Sequence, residues 1–217
     1  MKVQRTDAII FDVDGTLWDT SDIVARSWSR AIRENSDLDI SFTPEFLKAH
    51  AFGKPMDEIG RILLPDQSPE EIERLSQICF AYEDRAVIEE QAVIYEGVRE
   101  TMERLRDMGL KRYIVSNCQK GYIEACMMQC HIEDLILDHL CFGDTLDKKS
   151  VTIRRLMSDN GLEHAIYVGD TRGDQLASAE AGIPFIYAAY GFGETEDPVY
   201  EIKDIRELPE LMERINA

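Results

Sequence analysis

The sequence predicts an α/β fold: a Rossmann-like parallel sheet with helices on both faces, interrupted after its first strand by an all-helical insert. Three observations predict it. Short apolar runs ending in acidic or Gly-containing turns recur along the chain, as strands buried on both faces do. Helical patterns closed by glycine separate them. One segment of about 70 residues carries strong helix signals and no convincing strand.

The first strand is Ala8-Ile9-Ile10-Phe11, which runs directly into an acidic turn. Between residues 20 and 91 the signals are helical. Thr43-Pro44-Glu45 opens one helix, and Ser68-Pro69-Glu70-Glu71 opens another with an N-cap, a first-turn proline and a capping-box glutamate. Ile72, Leu75, Cys79, Tyr82 and Ala86 follow at helical spacing. The second half alternates: helix 98–108 closed by Gly109, strand 112–115, helix 121–128, a shorter strand candidate at 140–142, helix 150–160 closed by Gly161, strand 165–168, helix 174–181 closed by Gly182, and strand 184–188. That alternation calls for a parallel sheet. The acidic stretch 194–213 reads as a solvated face, with a final helix at 209–215. The expected organisation is a core of residues 1–19 and 92–217 with a helical unit at 20–91.

Composition bounds the function. With 44% hydrophobic and 30% charged residues among 217, the chain is ordinary for a globular protein, which argues against disorder. Lys and Arg number 24 against 42 Asp and Glu, a net charge of −18, so nucleic acid and anionic membrane are disfavoured as partners. No apolar run reaches the ~18 residues of a membrane span. Five irregularly spaced cysteines, and an N-terminus without a secretory apolar region, fit a reducing cytoplasm. Cys126 and Cys130 stand one helical turn apart in an apolar stretch and read as buried thiols rather than metal ligands. Trp18 and Trp28 read as packing residues.

The chemistry concentrates at strand ends, where open parallel sheets bind ligands. Asp12 and Asp14 leave the first strand on one side, and Gly15 permits the sharp turn that follows. Two carboxylates that close favour a bound cation or a shared proton. Ser116 and Asn117 end the second core strand with groups suited to phosphate oxygens. Asp170 and Asp174 follow a third strand and suit an oxygen-ligand cation site. Lys148-Lys149, at a helix entry, supplies a cation to an otherwise carboxylate-rich cluster.

In this order the pieces resemble the haloacid dehalogenase superfamily from residue 9 to residue 186. Asp12-Val13-Asp14-Gly15-Thr16 is similar to its first motif, Ser116 to its second, Lys148-Lys149 to its third, and Gly169-Asp170 with Asp174 to its fourth. The insert is similar to the type-I helical cap of phosphoglycolate-phosphatase-like and phosphoglucomutase-like members. The resemblance implies a Mg²⁺-dependent phosphatase acting on a small phosphorylated metabolite through an aspartyl-phosphate. Asp12 would be the nucleophile and Asp14 the acid and base. Asp12, the Asp14 carbonyl and Asp170 would hold Mg²⁺, with Asp174 supporting them. Ser116, Asn117 and a lysine would bind the phosphoryl group. Many relatives place Pro after the third-motif lysine where this chain has Ser150, and the position directly before that helix opener selects Lys149 over Lys148. A phosphomutase is the alternative, and Thr16, where some sugar-phosphate mutases carry Val, leans toward hydrolysis. A non-catalytic sensor would not need all four motifs. Lys54, in the Gly/Pro break 51–55, lies where such caps place a specificity loop. Oligomeric state is not legible in the sequence.

Overall fold

A computed structural model describes residues 5–217, the side chain of Asp57 excepted; the first four residues of the N-terminal stretch considered above lie outside it. Strand β1 (Ala8–Phe11) is wholly buried and leads through a tight turn to β2 (Trp18–Asp19). Four helices follow: α1 (Ser21–Asn35), α2 (Pro44–His50), α3 (Met56–Leu63) and α4 (Pro69–Glu89). Strand β3 (Val93–Ile94) returns the chain. Beyond it lie α5 (Val98–Asp107), β4 (Lys111–Ser116), α6 (Tyr122–Cys130), β5 (Asp138–Cys141), the short α7 (Phe142–Thr145), α8 (Lys149–Asp159), β6 (Ala165–Gly169), α9 (Arg172–Ala181), β7 (Phe185–Ala188), β8 (Tyr200–Ile202) and α10 (Leu208–Asn216).

Six strands form one parallel sheet in the order β5-β4-β1-β6-β7-β8. The expected α/β fold with a helical insertion is present. Alternation along the strands divides the core into two layers. Ile9, Phe11, Ile114, Ile166 and Val168 pack with Leu105 of α5, Ile123 of α6 and Met212 of α10. Ala8, Ile10, Tyr113, Val115 and Tyr167 pack with Ile153 and Leu156 of α8 and Ala177 of α9. Because β1 lies between β4 and β6, with Phe11 in register with both Ile114 and Val168, the chain leaves three adjacent strands at one level. The strand order reverses here, which opens a crevice at the carboxyl ends.

The insert has its own core, with Trp28, Ile32, Phe42, Leu47, Leu64 and Leu75 among its buried residues. Its sequence signals act locally as expected at two helix starts: Thr43 accepts from the Phe46 amide at 3.2 Å and Ser68 from the Glu71 amide at 3.3 Å. The capping box at Ser68 is half made, since Glu71 turns instead to Arg74. Both ends of the insert meet in the antiparallel β2–β3 ribbon, which pairs Trp18 with Ile94 and Asp19 with Val93; two-residue strands carry no periodicity for a sequence reading to find.

The acidic tail departs from expectation. It supplies the edge strand β8, and Ile202, Ile205, Leu208, Leu211 and Met212 are buried. Their spacing is diluted by charged neighbours, so the stretch reads as solvated although its apolar residues close one end of the core. All five cysteines are free and buried, with Cys126 Sγ 3.9 Å from Cys130 Sγ. Trp18 and Trp28 are buried as packing residues. Among the described residues no helix is long and apolar enough to cross a membrane.

Candidate active site

Asp12 follows the last residue of β1, and its amide donates to the Val168 carbonyl at 2.9 Å, which keeps the chain in sheet register one residue beyond the strand. Its buried carboxylate accepts from Lys149 Nζ at 3.0 Å. The same ammonium donates to Asp174 Oδ1 at 2.6 Å. Asp174 is fixed from behind by the α9 capping box: its Oδ2 accepts from the Thr171 amide at 3.0 Å and hydroxyl at 2.6 Å, while its own amide donates to Thr171 Oγ1. Burial works to lower the Lys149 pKa, but Asp12 and Asp174 more than offset it and hold the ammonium well above its usual range. Lys148, one residue earlier at the helix N-cap, is exposed.

Asp170 is fully buried beside the turn after β1. Its Oδ2 accepts from the Phe192 amide at 2.7 Å, whereas its Oδ1 has no hydrogen-bond partner. Two glycines create its space. A Cβ on Gly15, whose φ of +76° is left-handed, would lie 2.1 Å from Asp170 Oδ2, and one on Gly191 would lie 2.3 Å from Asp170 Cβ. Burial first, then Asp174 and Asp12, push Asp170 well above the ordinary carboxylate range.

Oxygens of Asp12, Asp170 and Asp174 lie within 4.8 Å of one another. Among the described residues only Lys149 pairs with the cluster, so ionisation of all three leaves two uncompensated buried negative charges. An orphaned carboxylate oxygen, a hard-oxygen donor set and that charge deficit fit a divalent cation such as Mg²⁺.

Asp14 is half-buried at the turn and points to different partners. Its Oδ1 accepts from Thr20 Oγ1 and from the Tyr122 hydroxyl, each at 2.9 Å, and those two hydroxyls are 2.8 Å apart. Burial pushes its pKa up to about 7, the Tyr122 bond opposing and the Asp12 charge adding. For Asp12, burial and then Asp174 raise the pKa to about 6 against the pull of Lys149 and Ser116.

Ser116 ends β4 and, with Asp12 and Asp14, lines a cleft of about 470 Å³ counting its open mouth. Asn117 and Lys54 line it as well. The Asn117 amide donates to the Gly53 carbonyl at 3.0 Å, tying the core to the 51–55 loop of the insert, and its Oδ1 is buried without a partner. The Phe52 ring packs edge-on against Phe192, with centroids 5.1 Å apart, so this loop also touches the segment that holds Asp170.

The structure thus brings together Asp12, Asp14, Ser116, Lys149, Asp170 and Asp174, with Asn117 and Lys54 on the adjoining wall. Thr20, Tyr122, Glu83 and the Phe192 amide, absent from the sequence reading, complete the surroundings. Phe192 is flanked by Gly191 and Gly193, and Gly191 makes room for the Asp170 carboxylate that the Phe192 amide bonds.

A family model described as haloacid dehalogenase-like hydrolase matches residues 9–188. The chain belongs to this family. Phosphoglycolate phosphatases of Pseudomonas putida and Colwellia psychrerythraea are 26% and 24% identical to it, over 92% and 91% of this chain and 77% and 90% of theirs. The crystal structure of a predicted phosphoglycolate phosphatase from Haemophilus somnus superposes with a TM-score of 0.84 at 18% identity, covering 96% of this chain and 98% of that one, and shares its fold. In this haloacid dehalogenase-like hydrolase the four motif segments occupy one crevice.

Proposed function

We propose that the protein is a Mg²⁺-dependent phosphatase that hydrolyses small phosphate monoesters through an aspartyl-phosphate on Asp12, with residues 20–91 acting as a cap over a core of 1–19 and 92–217. The observation that carries this reading is the separation of tasks between the two neighbouring carboxylates. Asp12 is tied to Lys149, whereas Asp14 faces Thr20 and Tyr122. The phosphoglycolate phosphatases among its relatives support the reaction class.

An Asp12 oxygen would attack phosphorus as the bond to the leaving oxygen breaks, dividing one difficult hydrolysis into two displacements. Lys149 holds that carboxylate in place and offers positive charge to the equatorial phosphoryl oxygens, with the Ser116 hydroxyl as a further donor. Asp12, Asp170 and the Asp14 carbonyl, with Asp174 in support, would hold Mg²⁺, which would supply positive charge to offset that of the phosphoryl oxygens. Asp14, held on Oδ1 by two hydroxyls, uses its remaining oxygen to protonate the departing alkoxide. It then takes a proton from the water that attacks the aspartyl-phosphate. A pKa near neutrality suits both directions of transfer.

The test is phosphate release from a panel of monoesters with Mg²⁺ and after exhaustive chelation. Metal-dependent stoichiometric phosphate is expected. Transfer of the phosphoryl group to a second substrate hydroxyl without free phosphate would make the protein a mutase instead.

A further inference from the structure

The cleft lined by Asp12, Asp14 and Ser116 also contains a buried acid with no role in the steps above. Glu83, in α4, is 5% exposed, and its Oε2 accepts from the Trp28 indole at 2.7 Å. Among the described residues no lysine or arginine forms an ion pair with it. Acidic side chains are rarely buried without such a partner, and one that lines a cleft is a candidate ligand contact. Bonds from one indole and one amide leave a carboxyl group with capacity for more. The Gln119 amide, which donates to Asp84 at 2.8 Å, also bonds Glu83 and opposes the rise in its pKa.

The surroundings define what Glu83 can recognise. Asp14 must touch the leaving oxygen, and Glu83 lines the same cleft, so a leaving group that fills the cleft comes within reach of Glu83. Val24, Trp28, Met56 and Ile59 give that space apolar walls. Its charged lining is Asp12, Asp14 and Glu83 against Lys54 alone. A leaving group with its own carboxylate would have to bury a negative charge where burial already keeps Asp14 and Glu83 from ionising readily, with one half-buried lysine to compensate. A hydroxyl meets no such opposition, and Glu83, whose burial pushes its pKa up to about 8, can both donate to it and accept from it near neutral pH.

The geometry points to Glu83 as a specificity-determining residue that hydrogen-bonds a hydroxyl of the leaving group, selecting phosphate esters of small neutral polyhydroxy alcohols over esters whose alcohol carries a carboxylate. This rests on the phosphatase reading and gives the protein a different preference from the one named for its phosphoglycolate phosphatase relatives.

A matched substrate pair tests it. 2-Hydroxyethyl phosphate and 2-phosphoglycolate differ in one group, hydroxymethyl against carboxylate. With saturating Mg²⁺, kcat/KM is expected to favour the hydroxyl ester by at least about 10-fold. Glu83→Gln keeps a donor and an acceptor and should hold that ratio within about 3-fold, while Glu83→Leu should lower it by at least about 10-fold. Thermal melts establish that each variant folds. A wild-type preference for 2-phosphoglycolate overturns the inference even if Glu83→Leu is too unstable to assay, and so does a ratio unchanged in a folded Glu83→Leu. Absence of phosphate release from both esters and from 4-nitrophenyl phosphate would instead remove the phosphatase reading beneath it.

Discussion

Lys149 and Lys148 show how one residue of register separates a buried group from a solvated one. Both stand at the entry to α8, but Lys149 is enclosed between Asp12 and Asp174 while Lys148 faces water. Lys149→Ala should lower kcat/KM by several kcal/mol of transition-state stabilisation, on the order of a removed charge-assisted contact, and should also lower the melting temperature because the carboxylates lose their counter-charge. Lys148→Ala should cost under about 1 kcal/mol by either measure, as exposed charges do. Steady-state kinetics on both variants decides the matter, and a reversed order would move the catalytic role to Lys148. Asp12→Asn should abolish turnover in a folded protein, since the amide nearly matches the carboxylate in shape but cannot attack phosphorus. A clean preparation with wild-type-like activity would remove Asp12 from the nucleophile role. These residues were legible because each follows a recognisable strand or opens a recognisable helix. Thr20 and Tyr122 were not, because their contact with Asp14 spans 6 and 108 positions and neither lies in a motif.

Elements differ in how far they can be read for the same physical reason. β1 and β6 are apolar throughout and need only a local pattern, whereas β2, β3 and β8 exist through pairing that no local window contains. In α4 the apolar spacing marks the helix, but its largest consequence is the polar Glu83, whose burial depends on where α1 brings Trp28. Burial raises the Glu83 pKa from 4.5 to about 8, so between those values the folded protein retains a proton that the unfolded chain releases. Stability from this group is therefore complete below about pH 4.5 and lost as pH rises through about 8. Glu83→Gln, which has no proton to release, should melt progressively higher relative to wild type between pH 5 and pH 9, by about 2–4 °C per kcal/mol recovered. Parallel melting curves across that range would show that Glu83 is solvated in solution. The 51–55 loop gives a second expectation: Lys54→Ala should change the ranking of substrates more than it changes hydrolysis of a small aryl phosphate. Equal loss on every ester would assign Lys54 to the phosphoryl group.

At the scale of the whole molecule, the two layers of core and the separate core of the insert hold a crevice whose charge is unbalanced. A chain with a net charge of −18 concentrates Asp12, Asp170 and Asp174 around one ammonium, and folding confines those carboxylates where the unfolded chain lets them separate into water. A divalent cation that relieves this binds the folded state preferentially, so it must raise stability as well as permit catalysis. At a hundredfold excess over Kd the gain is about 2.7 kcal/mol, which for a chain of this length corresponds to roughly 5–10 °C in Tm. Mg²⁺ titrated into chelator-treated protein should shift the melting curve by that amount, and K⁺ at matched ionic strength should not, because screening alone acts weakly on buried pairs. Asp170→Asn, which removes the charge from the oxygen left without a partner, should suppress the shift, while Lys148→Ala should retain it. An equal response to Mg²⁺ and K⁺, or a full Mg²⁺ shift in Asp170→Asn, would place the cation away from the cluster.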